Sequence, residues 1–297
     1  MAPIVCKCCG HVCDPFASVD FSRTCADRTA PVFAPTGEAV TYCRCRACGF
    51  LFTSHFDHLS DEQMIEKIYN REYAMADPDF LGSRPHHFAR ELQEQLAPLR
   101  GDLVALDFGG GSGLLAELMR VAGFADFDSY DPFFANNAAP SRTYDLITAF
   151  EVVEHARDAI EPFRQMLSLL RPDGTLLFST MLQPRHVDAN WWYMAPRNGH
   201  VSLHSRRSLH TIALRLGLGF LSIDAGTHLF YRSRLSPGTR SIVRPLAGRM
   251  LRFASLQGIG SFTMAAWQLA FLGQARAALE PRHAARAVLR QFVPGTE

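Results

Sequence analysis

The sequence predicts an α/β protein: a mostly parallel sheet flanked by helices, with a small cysteine-rich module in front and a helical tail behind. Three observations predict it. Short apolar runs alternate with helix-forming stretches between about residues 101 and 235. A glycine-rich stretch, Leu106-Asp107-Phe108-Gly109-Gly110-Gly111-Ser112-Gly113, sits where one such run turns into a helix. All eight cysteines fall within the first fifty of 297 residues.

The totals set bounds. A chain of this length makes one large domain or two smaller ones. At 47% hydrophobic and 20% charged it has the composition of a soluble globular protein. A net charge of +1 provides no bulk attraction to nucleic acid. The N-terminus carries no apolar signal core, so a cytoplasmic protein is expected. In that compartment clustered cysteines favour metal over disulfides.

Two fragments carry the metal signal. Cys6-Lys7-Cys8-Cys9-Gly10 and Cys45-Arg46-Ala47-Cys48-Gly49 both read C-x2-C-G. Such a knuckle turns the backbone so that two thiolates face one ion, and the glycine takes the strained turn position. Two knuckles make a closed tetrahedral site for structural zinc, with Cys6, Cys9, Cys45 and Cys48 as the expected ligands. Cys8, Cys13 and Cys43 could each replace one of these by a small register change. Cys25 stands alone and reads as a buried small residue. Four sulfurs leave no open position, so this zinc holds structure and activates no water.

After the module come helices with a break. Ser60 is a good N-cap for Asp61–Tyr69, Asp77-Pro78-Asp79 marks a turn, and Phe88–Leu96 is helical before Pro98. Leu103–Leu106 is then the first buried strand, and Leu114–Arg120 the helix after the glycines, with Gly123 as its stop. Glycines at this junction permit positive φ and let a ligand touch bare backbone. The helix start adds unpaired N–H groups and a positive dipole end. Gly109, Gly111 and Gly113 read G-x-G-x-G, with Leu114 where a dinucleotide fingerprint needs its third glycine. No lysine is near for a phosphate-binding NTPase loop. The fit is to a ligand that carries a nucleoside but no phosphates.

Asp107-Phe108-Gly109-Gly110-Gly111-Ser112-Gly113 resembles the first motif of the class I S-adenosylmethionine-dependent methyltransferases. Tyr144-Asp145-Leu146-Ile147-Thr148-Ala149-Phe150-Glu151-Val152-Val153-Glu154-His155, and then Leu170-Arg171-Pro172-Asp173-Gly174-Thr175-Leu176-Leu177-Phe178, resemble the later motifs of the same class, in the same order and spacing over residues 100 to 180. The N-terminal cysteine layout, with Tyr42–Phe52, is similar to that of many bacterial small-molecule methyltransferases, sugar C-methyltransferases being one branch. The resemblance implies a Rossmann-like sheet whose last strand is antiparallel. Phe220–Asp224 and His228–Arg232 suit that final hairpin. It also implies S-adenosylmethionine as cofactor and a lid formed by the helices before residue 100, to which Tyr69 and Tyr73 belong as packing or lining residues.

Cofactor contacts are expected from Asp107, Gly109, Gly110, Gly111, Gly113, Asp131, Pro132, Phe133 and Phe150. Asp131 closes the second strand, Phe127–Asp131, and follows Asp107 by 24 residues, near the ~20-residue offset of a ribose-binding acid. Its two oxygens suit a vicinal diol. Phe133 is placed to pack on the adenine, and Asp107 to lie beside the methionine ammonium. Between Pro132 and Tyr144 only eleven residues remain, too few for the usual helix and strand.

Glu151, Glu154 and His155 follow the strand Tyr144–Phe150 on the edge where open α/β sheets bind ligands. Three readings stand side by side. His155 is a general base. Alternatively the three residues form a divalent-metal site completed by His200 or His204, as in some methyltransferases of quinone biosynthesis and of RNA ends. Or they are a helix start whose acids complement the dipole. A helix is expected over Asp158–Leu170, a turn over Arg171–Gly174 and a strand over Thr175–Thr180. Gln183, Trp191, Trp192, Tyr193 and His200 are the acceptor-side candidates, since adjacent loop aromatics suit a flat ring or a sugar face. Arg185, Arg197, Arg206 and Arg207 could hold a phosphate or carboxylate, with the solvated surface as the default for each. In the tail, Phe253–Gly273 carries no charge and reads as a buried or partner-packed helix, with an interfacial membrane helix as the lesser reading.

The expected organisation is a zinc ribbon (1–58), a helical lid (59–100), a cofactor-binding catalytic domain (101–235) and a helical extension (236–297). The expected function is methyl transfer to an oxygen or carbon of a small molecule: a sugar, nucleotide-sugar or secondary metabolite. A metal-assisted O-methyltransferase acting on a vicinal diol, a cofactor-binding scaffold without turnover and, third, a nucleic-acid-binding ribbon are the alternatives.

Overall fold

The computed structural model describes residues 3–27, 30–133, 138–232, 240–243 and 246. Most of the 236–297 extension, including Phe253–Gly273, lies outside the described residues. Residues 1–243 form one compact unit.

Two sheets organise this unit. The smaller is antiparallel and begins with β1 (Cys13–Asp20), β2 (Ala39–Cys45) and β3 (Leu51–Thr53). Gly10 and Gly49, at φ 79° and 75°, close the two knuckles that precede β1 and follow β2. Each amide returns to the first cysteine of its knuckle, Gly10 to Cys6 O at 2.9 Å and Gly49 to Cys45 O at 2.8 Å. Only glycine takes this left-handed conformation without cost.

The lid helices follow: α1 (Asp61–Lys67), α2 (Tyr73–Ala76) and α3 (Ser83–Gln95). Ser60 caps α1 as expected, in a reciprocal capping box with Gln63. The larger sheet then alternates with helices: β4 (Ala105–Phe108), α4 (Leu114–Val121), β5 (Phe127–Tyr130), β6 (Tyr144–Phe150), α5 (Glu161–Ser168) and β7 (Leu170–Ser179). After β8 (Ser202–Leu203) and α6 (Arg206–Arg215), β9 (Leu218–Ser222) and β10 (Thr227–Arg232) complete it.

Strand order is β5-β4-β6-β7-β10-β9. The first four strands are parallel and β10 runs antiparallel to both β7 and β9, as expected for the last strands. The chain leaves β4 toward β5, then returns to the other side of β4 as β6. That reversal is the topological switch point where such sheets open a crevice at the strands' C-terminal ends. β4 ends at the glycine loop and β6 ends at Glu151, so the sequence motifs converge there.

Two features depart from the sequence reading. Arg171–Gly174 is not a turn after a helix running to Leu170. The helix stops at Ser168, and these residues bulge within β7: Leu170 pairs with Tyr144, and the next pair is Thr175 with Leu146. The smaller sheet takes its fourth strand from far along the chain, with β3 pairing β8 through Leu51–Leu203 and Phe52–Ser202. One buried core therefore runs under both sheets, joining Cys8, Phe50 and Phe52 to Phe163, Phe178, Leu209 and Phe230. Among the described residues no helix is long and apolar enough to cross a membrane.

Candidate functional site

The glycine loop is shaped for close approach. Gly109, Gly111 and Gly113 have positive φ. A Cβ on Gly109 would lie 2.5 Å from Val152 Cγ2, so neither backbone conformation nor space admits a side chain. Gly109 N–H and Gly110 N–H both donate to Tyr130 O, at 2.7 and 3.3 Å, which ties the loop to the end of β5. Asp131 accepts from Gly111 N–H at 2.9 Å and from Phe133 N–H at 2.9 Å, one amide per carboxylate oxygen. Each oxygen keeps a lone pair for a further donor. Burial raises the Asp131 carboxyl above its ordinary value.

Asp107 is buried at the end of β4 and accepts one hydrogen bond, from Thr148 Oγ1 at 2.9 Å. Burial, the dominant cause, pushes it up to about 7. A buried carboxylate in this state would gain from a cation beside it. Phe133 is half-exposed beyond Asp131, and Tyr69 of the lid lies over it with ring centroids 6.1 Å apart. Phe150, at the end of β6, is covered by Phe88 of α3 in a face-to-face stack at 3.8 Å. Phe88 had no local signal as a site residue, because its partner is 62 positions away. The crevice thus has bare backbone on one wall, two carboxylates at its base and aromatic rings over it. This fits a nucleoside cofactor with a cationic tail.

A second cluster begins where β6 ends. Glu151 has φ 56°, the one positive-φ residue other than glycine among the described residues. Held strain of this kind concentrates at working sites. Ser179 at the end of β7 holds it twice, accepting from Glu151 N–H at 2.8 Å and donating to its Oε1 at 2.6 Å. Tyr193 O–H donates to Glu154 Oε1 at 2.6 Å and lies 3.2 Å from Glu151 Oε2. Glu154 is fully buried, and its other oxygen has no protein partner. Burial first, then the Glu151 charge, raises the Glu154 carboxyl well above its usual range.

His155 Nδ1 lies 3.2 Å from Gly199 O, and His200 Nδ1 lies 3.0 Å from Tyr193 O. A carbonyl only accepts, so both Nδ1 atoms carry the proton and both Nε2 atoms keep a lone pair. Burial lowers the pKa of both imidazoles, His200 further because His155 is beside it, so both are neutral at pH 7. Ligand atoms of Glu154, His155 and His200 lie within 4.8 Å of one another. His200 joins this cluster. His204 does not: it packs near Phe50 and Phe163.

The aromatic trio divides. Trp191 and Tyr193 are buried, while Trp192 is exposed at the rim. Gln183 is brought to the small sheet, its amide donating to Gly49 O at 2.8 Å and Leu203 O at 2.9 Å. Arg197 corrects the surface expectation. It is 4% exposed and donates to Ile68 O at 2.7 Å and Asn70 Oδ1 at 3.0 Å, closing the C-terminal end of α1.

The knuckles bring Cys6, Cys9, Cys45 and Cys48 together with all four sulfurs within 4.8 Å. Sγ–Sγ separations are 3.6 Å for Cys6–Cys48 and 3.4 Å for Cys9–Cys45. Zinc–sulfur bonds of ~2.3 Å in a tetrahedron require about 3.8 Å, so the donor set fits zinc with a slight expansion.

Residues 80–223 match the family described as Methyltransferase domain. A curated relative, the ubiquinone biosynthesis O-methyltransferase of Haemophilus ducreyi, is 26% identical over 42% of this chain. The match spans 66% of that relative's length. Solved structures with partial likeness include a magnesium protoporphyrin IX methyltransferase from Synechocystis PCC 6803 (14% identity, 60% of this chain and 94% of that one, TM-score 0.36). Another is a mitomycin 7-O-methyltransferase (17% identity, 58% and 67%, TM-score 0.36).

Proposed function

We propose, from the premise that this chain is a methyltransferase through its domain at residues 80–223, that it methylates an oxygen of a small molecule with S-adenosylmethionine as donor. The observation that carries the acceptor side is a neutral, half-buried imidazole, His155, with its Nε2 lone pair free next to a glutamate pair at the end of β6. When bound, the donor supplies an electrophilic methyl group on a sulfonium. Asp107, Gly109, Gly110, Gly111, Gly113, Asp131, Pro132, Phe133 and Phe150 would hold it, with Asp131 on the ribose diol and Asp107 beside the ammonium.

On the acceptor side His155 takes the hydroxyl proton as the oxygen attacks. Glu151, whose charge raises the His155 pKa against the effect of burial, favours the imidazolium that results, and Tyr193 O–H holds Glu154 beside it. Trp191, Trp192 and Tyr193 are the aromatic residues of the acceptor side, with Trp192 exposed at the rim and Trp191 and Tyr193 packed in the core behind it. In this reading residues 1–58 form a zinc ribbon, 59–100 a lid, 101–235 the catalytic domain and 236–297 an extension. The zinc is structural, held by Cys6, Cys9, Cys45 and Cys48. A test is label transfer from methyl-labelled S-adenosylmethionine to a panel of catechols, monophenols and sugars. Transfer to none of them, with the cofactor bound, would refute the assignment.

The Glu154–His155–His200 cluster supports a second reading, in which a divalent cation binds there and holds a vicinal diol. The unpartnered Glu154 oxygen and the two Nε2 lone pairs fit such an ion. The readings separate by equilibrium dialysis with magnesium or manganese. The metal reading requires one bound ion beyond the zinc, lost in His200→Ala. The base reading requires transfer that persists when that ion is withheld.

Asp107 makes cofactor binding pH-dependent. Its carboxyl sits at about 7 in the free protein, and an ammonium beside it would lower that value. Below this pH binding must expel a proton. Affinity should therefore fall by up to about tenfold per pH unit on acidification and level off above about pH 7. Calorimetry with S-adenosylhomocysteine in buffers of different ionisation heat should show proton release near pH 7. Asp107→Asn should abolish it.

A further inference from the structure

The acceptor segment is not held mainly by the domain that carries it. From Asp188 to Leu203 it has little regular structure: one short turn at Pro196–Asn198 and the two-residue strand β8. Loop carbonyls of this kind need partners, and here many come from the first 58 residues. Arg23 donates to Ala189 O at 2.6 Å and to Trp191 O at 3.1 Å. Its own carbonyl accepts from Arg197 N–H at 3.1 Å. Cys25 N–H donates to Asn198 Oδ1 at 2.8 Å. Tyr42, fully buried on β2, donates to His200 O at 2.6 Å. Thr53 N–H donates to Val201 O at 3.0 Å, and β3 then pairs β8.

The metal knuckle continues the row. Cys48 O accepts from Ser205 Oγ at 2.7 Å, and Ser205 is the cap of α6. Ala47 O accepts from Arg207 at 3.0 Å, and Gly49 O from Gln183 at 2.8 Å. The cofactor side has a different set of partners. Asp107 bonds Thr148, and Asp131 bonds the amides of Gly111 and Phe133.

We propose that the N-terminal module is the frame of the acceptor segment: Arg23, Cys25 and Tyr42 are positioning residues for Trp191, Tyr193 and His200, and the four-thiolate site keeps that frame in register. Tyr42 lies three residues before Cys45 on one strand, and β1 starts at Cys13, four residues after Cys9. An ion held by the two knuckles would therefore fix both strands of the hairpin, with Tyr42 reaching the segment from β2 and Arg23 from the connection just after β1. Losing the ion, or one tether, should loosen residues 189–201 and leave the glycine crevice intact. The acceptor role of the segment rests on the methyltransferase reading above; the mechanical coupling does not.

The test uses the full chain carrying Trp267→Phe, which leaves Trp191 and Trp192 as the only tryptophans of the three. Tyr42→Phe and Arg23→Ala are made in that background, and the parent is also stripped of metal with a chelator. Hydrogen exchange, tryptophan emission and affinity for S-adenosylhomocysteine are measured. Exchange over 189–201 should rise about tenfold or more in each case, and emission should move to the red. Cofactor affinity should stay within about twofold. Unchanged exchange over 189–201 would overturn the proposal. So would a parallel loss of cofactor affinity in Tyr42→Phe, since the module would then be supporting the whole fold. If the stripped protein unfolds, Tyr42→Phe alone decides, because it deletes one hydroxyl. If 189–201 loosens as expected but no acceptor is ever methylated, the coupling stands and the catalytic reading fails.

Discussion

His155→Ala should lower kcat by about 10²- to 10⁴-fold at pH 7, the usual contribution of a positioned general base. Cofactor affinity should not change, because the glycine crevice is formed by other residues. The pH profile is the more discriminating readout. The wild-type rate should already be level at pH 7, since burial holds the His155 pKa below its ordinary value and the base is free. The variant's rate should keep rising with pH, as the acceptor hydroxyl ionises without help. A variant that keeps its rate and its pH profile would assign His155 to packing against Tyr69 and His200, which its ring also contacts.

Gly109→Ala should weaken cofactor binding by at least about tenfold while the protein remains folded. Two costs add. The residue sits at φ 72°, where a Cβ costs roughly 1–2 kcal/mol. The new methyl would also lie 2.5 Å from Val152 Cγ2 and displace the chain that links β6 to Glu154. Strain of this size plus a displaced wall corresponds to a loss of at least about tenfold in affinity, and more if the loop cannot close. Calorimetry with S-adenosylhomocysteine reads the binding and a thermal melt reads the fold. Wild-type affinity in this variant would mean that the cofactor does not use the loop.

The parts of the site that were legible in the sequence are those written locally. The glycine loop, Asp107 and Asp131 lie within 25 consecutive residues, so a strand-to-helix turn and the next strand end suffice to bring them together. Glu151, Glu154 and His155 are fixed by the end of one strand. The two cysteine knuckles are likewise local, and the fold brings together the four sulfurs that their spacing singles out, Cys6, Cys9, Cys45 and Cys48. Contacts between distant residues were not legible. Tyr42 meets His200 across 158 positions and Phe88 meets Phe150 across 62, and no periodicity records either. Arg197 reads as a surface residue because arginine usually is one. Its burial follows from the carbonyl of Ile68, which only a partner from another part of the chain could reach. Arg171–Gly174 has turn composition and does bend the chain, but the bend lies inside a strand whose pairing continues past it.

The measurement that tests the central claim most directly is label transfer in the protein's own milieu. Purified protein is incubated with methyl-labelled S-adenosylmethionine and an extract of its own cells, and small molecules, lipids and polymers are separated. The account predicts label in the small-molecule fraction, on an oxygen, and its loss with His155→Ala. Label in RNA or protein, or none anywhere with the cofactor bound, would contradict it.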